Sequence, residues 1–259
     1  MKIFVMVDME GGSGIVKSVQ VSPGDAEYAR GRQYLCQDVN ACVDGLFAGG
    51  ATAVVVRDAH WSGFNFMLDM LDPRAEYIQG GGGPRMPGIA GMDGLVLLGY
   101  HAMAGTGEAV LEHTMSSKGW QNFWLNGKLA GEIAIDAGAA GDDDVPTILV
   151  TGCDKACREA RQLIHGVITA AVKTGFGCEY ARLLPLPRAQ DLIRQRAAAA
   201  ARACTTIKPF KVKPPVRMRL EVVERGQVPD HGNKPYFKKL DNRTYEVQGA
   251  SVLEALARL

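Results

Sequence analysis

Short continuous apolar runs punctuate the first two-thirds of the chain, at Ile3–Val7, Ala53–Val56, Leu95–Leu98 and Thr147–Val150. Each is rich in Val, Ile and Leu, the pattern of strands covered on both faces as in a parallel sheet. Between the first two, Asp25–Ala48 carries apolar or small residues at helical spacing (Ala29, Leu35, Val39, Cys42, Val43, Leu46) and stops at Gly49-Gly50, which predicts a helix. Strand, helix and strand make a βαβ unit, and a further helix is predicted from about Lys155 to His165. In FWLNGKLA, Phe123–Ala130, an Asn-Gly pair between apolar residues predicts a β-hairpin, because both turn positions need positive φ. Gly80–Gly83 runs into Pro84, Arg85 and Pro87 instead of opening a helix, so it reads as a flexible or lid-like loop and not as a phosphate cradle.

After Leu183 the character changes. Arg188–Cys204 is an Ala- and Arg-rich helix, KPFKVKPP reads as a solvated basic loop, and Val216–Val223 is strand-like. The expected fold is α/β: a mainly parallel sheet with flanking helices, an inserted β-hairpin, and a smaller C-terminal α+β portion. The expected division is 1–180 for an α/β metal-binding catalytic domain and 181–259 for the smaller portion. A length of 259 residues agrees with one large domain or two modest ones.

Composition narrows the function. With 47% hydrophobic and 22% charged residues the chain is neither disordered nor fibrous. Lys plus Arg number 29 against 28 for Asp plus Glu, which leaves no field to draw in a polyanion, so no nucleic-acid partner is expected. No apolar run approaches the roughly 18 residues of a membrane span, so no membrane partner is expected either. The opening MKIFVMVDMEGG turns acidic too soon for a secretory leader, so the expected compartment is the cytoplasm. The 6 cysteines form no CxxC and read as reduced core or incidental residues.

The chemistry lies where the apolar runs end. The first run leads into Asp8 and Glu10, the second into Asp58 and His60, the third into Gly99-Tyr100-His101. In open α/β sheets the loops at the carboxyl ends of strands converge on one crevice. A single Asp at a strand end is ordinarily a turn or cap residue, and a lone His is ordinarily structural. Here those readings would have to coincide at three strand ends. Glu132, in AGEIAID just after the hairpin, is either a favourable first-turn carboxylate or a fifth ligand. Carboxylates and imidazoles without thiolates suit zinc or another borderline divalent ion. Three carboxylates with two histidines exceed the needs of one catalytic zinc and suit two metals with a bridging carboxylate. His113, in EHTM, is left free to transfer protons or to attack directly. His165 and His231 receive no function.

These segments closely resemble the D-aminopeptidase DppA family, the M55 metallopeptidases. The resemblance lies in VDMEGGSG (7–14), YARGR (28–32), RDAHW (57–61), LGYHA (98–102), EHTM (112–115), NGKLAGE (126–132) and TAAVK (169–173), in the family's order and approximate spacing. It implies two zinc ions per subunit, bridged by Asp8 and held by Glu10, His60, His101 and Glu132. It further implies His113 as the catalytic histidine, described in the family as a nucleophile. A proton-shuttling histidine would look the same. Asp58 then orients a ligand or loop. The implied activity is hydrolysis of short peptides or amides with an N-terminal D-residue such as D-Ala, by metal-activated water with histidine assistance. The implied assembly is a ring-shaped homodecamer. Gly11-Gly12 and Met103-Ala104-Gly105 depart from the bulkier or charged residues expected beside the ligands, and the C-terminal third matches weakly. An amidohydrolase acting on another small amide would share the same residues. A non-catalytic cytoplasmic peptide-binding module would not need the ligand set.

Overall fold

The computed structural model describes residues 1–259. In chain order the elements are β1 (Lys2–Val7), α1 (Tyr28–Ala48), β2 (Ala53–Asp58), β3 (Glu76–Ile78), β4 (Gly94–Tyr100), β5 (Trp120–Leu125), β6 (Lys128–Leu129), α2 (Glu132–Asp142), β7 (Thr147–Cys153), α3 (Asp154–Leu163), β8 (Ile168–Gly177), β9 (Tyr180–Leu183), α4 (Leu186–Ala203), β10 (Val216–Val222), β11 (Phe237–Lys239), β12 (Thr244–Gly249) and α5 (Val252–Leu256). All four apolar runs are strands, and each strand is longer than its run by a residue or more at one end or both. Helix α1 begins at Tyr28, three residues later than the periodicity predicts, because Asp25 and its neighbours form turns.

The larger sheet has the order β3-β2-β1-β4-β7-β8-β9, parallel except for the β8–β9 pair. From β1 the chain passes through α1 to β2 on one side, and later returns to place β4 on the other. The carboxyl ends of β1 and β4 therefore flank a switch point of strand order, where such sheets bind ligands. The second sheet, β11-β12-β10-β5-β6, is antiparallel. The hairpin of β5 and β6 joins this sheet and leaves the parallel one uninterrupted. Asn126 and Gly127 at its turn have φ of 47° and 81°, as the Asn-Gly signal requires.

Alternation along the central strands divides the interior in two. Ile3, Val5, Val7, Val96 and Leu98 face α1 and α4, whereas Phe4, Met6, Leu95 and Leu97 face α2 and the second sheet. The Ala-rich stretch of α4 is a packing device. A Cβ on Gly45 of α1 would lie 2.2 Å from the carbonyl oxygen of Arg194, so only small residues allow this approach. No helix is long and apolar enough to cross a membrane.

Candidate metal centre

Asp8 and Glu10 leave β1 in a loop that lies backbone on backbone against the end of β4. The Asp8 amide donates to the Leu98 carbonyl at 2.9 Å and the Gly11 amide to the Gly99 carbonyl at 2.7 Å. A Cβ on Gly11 would stand 2.0 Å from the Tyr100 carbonyl oxygen, so this approach, which sets Asp8 beside His101, requires glycine. The same loop is gripped from below by Lys173. Its buried Nζ donates to the carbonyls of Glu10 (2.5 Å), Gly12 (2.9 Å) and Ile15 (2.6 Å). Burial pulls the Lys173 ammonium down to about 8.

His60 follows β2 on a loop held by Asp58. The Asp58 carboxylate accepts from the backbone amides of His60 (3.3 Å) and Asn65 (2.5 Å) and from the Asn65 side chain (2.9 Å). Asn65 is clamped from α1, where the Tyr28 hydroxyl donates to its side chain at 2.6 Å and Arg32 Nε to its carbonyl at 2.8 Å. The YARGR segment thus acts on the His60 loop. Glu132 opens α2, and its Oε1 accepts the Met115 amide at 2.8 Å.

The structure brings Asp8, Glu10, His60, His101, His113 and Glu132 together, as two triads: Asp8 with Glu10 and His60, and His101 with His113 and Glu132. Each imidazole spends one nitrogen on a backbone carbonyl, which can only accept. His60 Nε2 donates to Val21 at 2.8 Å, His101 Nδ1 to Ala102 at 3.0 Å and His113 Nδ1 to Leu111 at 3.0 Å. In the neutral imidazoles the remaining nitrogens then turn lone pairs toward carboxylate oxygens. His60 Nδ1 is 3.1 Å from Asp8 Oδ1 and from Glu10 Oε2, and His101 Nε2 is 3.3 Å from Asp8 Oδ2 and from Glu132 Oε1. Acceptors facing acceptors in a buried site repel unless a cation stands among them. Asp8 Oδ2, Glu10 Oε2 and His101 Nε2 are buried without hydrogen-bond partners, so the donor set fits a divalent metal. Asp8 gives one oxygen to each triad.

The electrostatics agree. Burial disfavours charge on Glu10, but the imidazoles, His60 foremost, overcome it and hold the carboxyl well below its usual range. Burial likewise opposes protonation of His60 and His101, yet the surrounding carboxylates raise both well above an ordinary imidazole. The cluster attracts positive charge. His113 is the least enclosed of the three rings. It stacks on His101 at a centroid distance of 4.0 Å and an interplanar angle of 13°, with Nε2 3.8 Å from Glu132 Oε1. A cavity of about 750 Å³ opens over the cluster, bordered by Val21, Trp61, Arg85, Leu111 and Ser116.

Sequence reasoning missed several supporting residues. Arg85 forms a two-pronged pair with the fully buried Asp136, which also accepts the Tyr100 hydroxyl at 2.6 Å. Glu159 accepts the Met103 amide at 2.8 Å, and burial pushes its carboxyl up to about 7. Lys173 did leave a signal, as the one charged residue of β8, directly after the mostly apolar ITAAV.

Comparison with known proteins places this geometry. A family model described as D-aminopeptidase (peptidase family M55) matches residues 1–259. A D-aminopeptidase of Bacillus subtilis (strain 168) is 34% identical over 262 residues, covering 98% of this chain and 94% of that protein. Among solved structures, the Zn-dependent D-aminopeptidase DppA from Bacillus subtilis, a self-compartmentalizing protease, is similar with a TM-score of 0.94. Its identity is 33%, over 99% of this chain and 94% of that one.

Proposed function

The chain belongs to the D-aminopeptidase (M55) family of peptidases, and from that premise we propose that it is a zinc aminopeptidase removing an N-terminal D-residue from short peptides or amides. The observation that carries the reading is the set of three buried, unpartnered ligand atoms on Asp8, Glu10 and His101, with Asp8 Oδ2 facing His101 Nε2 across the two triads and Glu10 Oε2 facing His60 Nδ1 within the first. Asp8, Glu10, His60, His101 and Glu132 would hold two zinc ions, Asp8 offering one oxygen to each triad. Bound zinc supplies Lewis acidity, polarising the scissile carbonyl and making a water acidic enough to attack at neutral pH.

The chain's own residues do the rest. The three carboxylates would offset most of the charge of the two ions, so the floor of the cavity stays close to neutral and can take a substrate's free amine as a neutral donor. His113, its Nδ1–H held by Leu111 and its ring braced on His101, presents Nε2 to the same space. There it takes the proton of the attacking water and returns it to the departing amine. The Met115 amide keeps Glu132 oriented, so the imidazole moves a proton within a fixed frame. A cavity of about 750 Å³ admits a short peptide and not a folded chain.

The protein acts as a homo-oligomer in this reading, a decamer with enclosed active sites. Trp61, Phe64 and Leu68, on the segment that follows β2, are 72%, 68% and 60% exposed, the kind of apolar surface that assembly buries. Initial rates on D-Ala and L-Ala p-nitroanilide, with zinc and with a chelator, test the activity. A chelator-sensitive rate on the D form alone supports the reading. Hydrolysis of the L form overturns the stereochemistry, and hydrolysis of neither moves the protein to another small amide.

A further inference from the structure

Beside the cavity over the metal cluster lies a smaller one of about 250 Å³, lined in part by Met6, Arg57 and Gly80–Gly81. The two adjoin, with Ala59, Trp61, Ser62 and Arg85 bordering both. Arg57 is the penultimate residue of β2 and points to the Met6 side of the sheet, opposite Val54 and Val56. Its Nε is buried with no hydrogen-bond partner. The carboxylates near it are already engaged. Asp58 holds Asn65 and the His60 amide, and Asp136 holds Arg85 and the Tyr100 hydroxyl. A second guanidinium thus stands beside Arg85 with no protein anion of its own. Such an arrangement is unfavourable unless an anion completes it, since a buried donor without a partner has lost its hydration and gained nothing in exchange.

Arg85 connects this pocket to the chemistry. Its Nη2 lies 3.9 Å from Glu132 Oε2, so it stands between the metal cluster and Arg57. A peptide whose amine rests at the metal cluster runs about 3.3–3.6 Å per residue, so the second residue's carboxylate falls one residue beyond the scissile bond, within reach of the neighbouring cavity that Arg85 borders. We infer that Arg57, with Arg85, forms a subsite for the free C-terminal carboxylate of a dipeptide, and that this subsite sets a preference for free dipeptides over their amides. The inference rests on the aminopeptidase reading for the identity of the substrate. A guanidinium fork matches a carboxylate with two parallel hydrogen bonds, which a lysine cannot reproduce.

The test compares kcat/KM for D-Ala-D-Ala and for its C-terminal amide in the zinc-loaded protein. A charge-assisted contact of this kind gives a preference of about tenfold or more for the free dipeptide. Arg57→Met lowers that ratio about tenfold, and Arg57→Lys, which keeps the charge and controls for folding, retains part of it. A ratio near one in the wild type, or the same ratio in Arg57→Met, overturns the subsite while leaving the aminopeptidase reading intact. If neither substrate is cleaved, the aminopeptidase reading fails, and calorimetric titration of the metal-free protein with N-acetyl-D-alanine decides the subsite alone. Binding that weakens about tenfold in Arg57→Met supports the carboxylate site. No binding, or equal binding in both proteins, overturns it.

Discussion

Replacing Asp8 by Asn tests whether the cluster is two sites joined through one carboxylate. Asp8 Oδ1 lies 3.1 Å from His60 Nδ1 and Oδ2 lies 3.3 Å from His101 Nε2, so a single side chain serves both triads. His60 serves only the first triad, and His101 and Glu132 only the second. A ligand held at a hundredfold excess over its dissociation constant stabilises the folded state by about 2.7 kcal/mol, so two filled sites contribute about 5.4 kcal/mol. At about 2–4 °C per kcal/mol for a chain of this size, zinc should raise the wild-type Tm by about 11–22 °C. His60→Ala should keep about half of that shift, and Asp8→Asn little of it. Thermal unfolding with and without a chelator reads the shift, and elemental analysis of the dialysed proteins reads the stoichiometry. The expected contents are two zinc per chain for wild type, one for His60→Ala and less than one for Asp8→Asn. A wild type that binds a single zinc, or an Asp8→Asn shift equal to that of His60→Ala, would refute the argument.

His113→Ala should lower turnover by about 10²–10⁴, the usual worth of a positioned proton carrier, while both zinc ions stay bound. A drop to one zinc would show instead that His113 is a ligand. Burial raises the Asp38 carboxyl from 3.8 to about 6. The folded state therefore holds this proton longer than the unfolded chain, and stability falls as pH rises through that window. The full loss is about 3 kcal/mol, from about two pKa units at 1.36 kcal/mol each. Urea midpoints of metal-free wild type and Asp38→Asn should diverge between pH 4 and 7 in favour of the variant, and a constant difference would count against the assignment. Gly11→Ala forces a Cβ to within 2.0 Å of the Tyr100 oxygen. Overpacking of this kind costs about 1–3 kcal/mol, and zinc affinity should fall with it. Unchanged zinc binding would mean that the close approach does not position Asp8 beside His101.

What could be read from the sequence, and what could not, follows from where the information resides. Every ligand candidate lies just past an apolar run or next to the Asn-Gly turn. Such runs announce their own ends, and the topology of parallel sheets dictates that those ends meet. The pairing of β5 with β10 had no comparable signal. Met218 lies opposite Leu125 across a long intervening chain, and either strand alone is only an alternating apolar segment. The hairpin was legible and its sheet was not.

The same distinction explains the supporting contacts. Lys173 acts on the carbonyls of Glu10, Gly12 and Ile15, and the three site imidazoles are oriented by the carbonyls of Val21, Ala102 and Leu111. A carbonyl carries no residue identity, so no spacing rule can point to it. Those contacts nevertheless decide which ring nitrogen faces the carboxylates, and so whether the cluster can accept a cation at all. A histidine at the right strand end becomes a ligand only when its other nitrogen has a fixed acceptor. For His60 that acceptor, Val21, follows a short 3-10 turn at Ser18–Gln20, between the motifs that identified the site and inside none of them. The residues that perform the chemistry are therefore written in the sequence, while the tautomers that let them perform it are written in the fold.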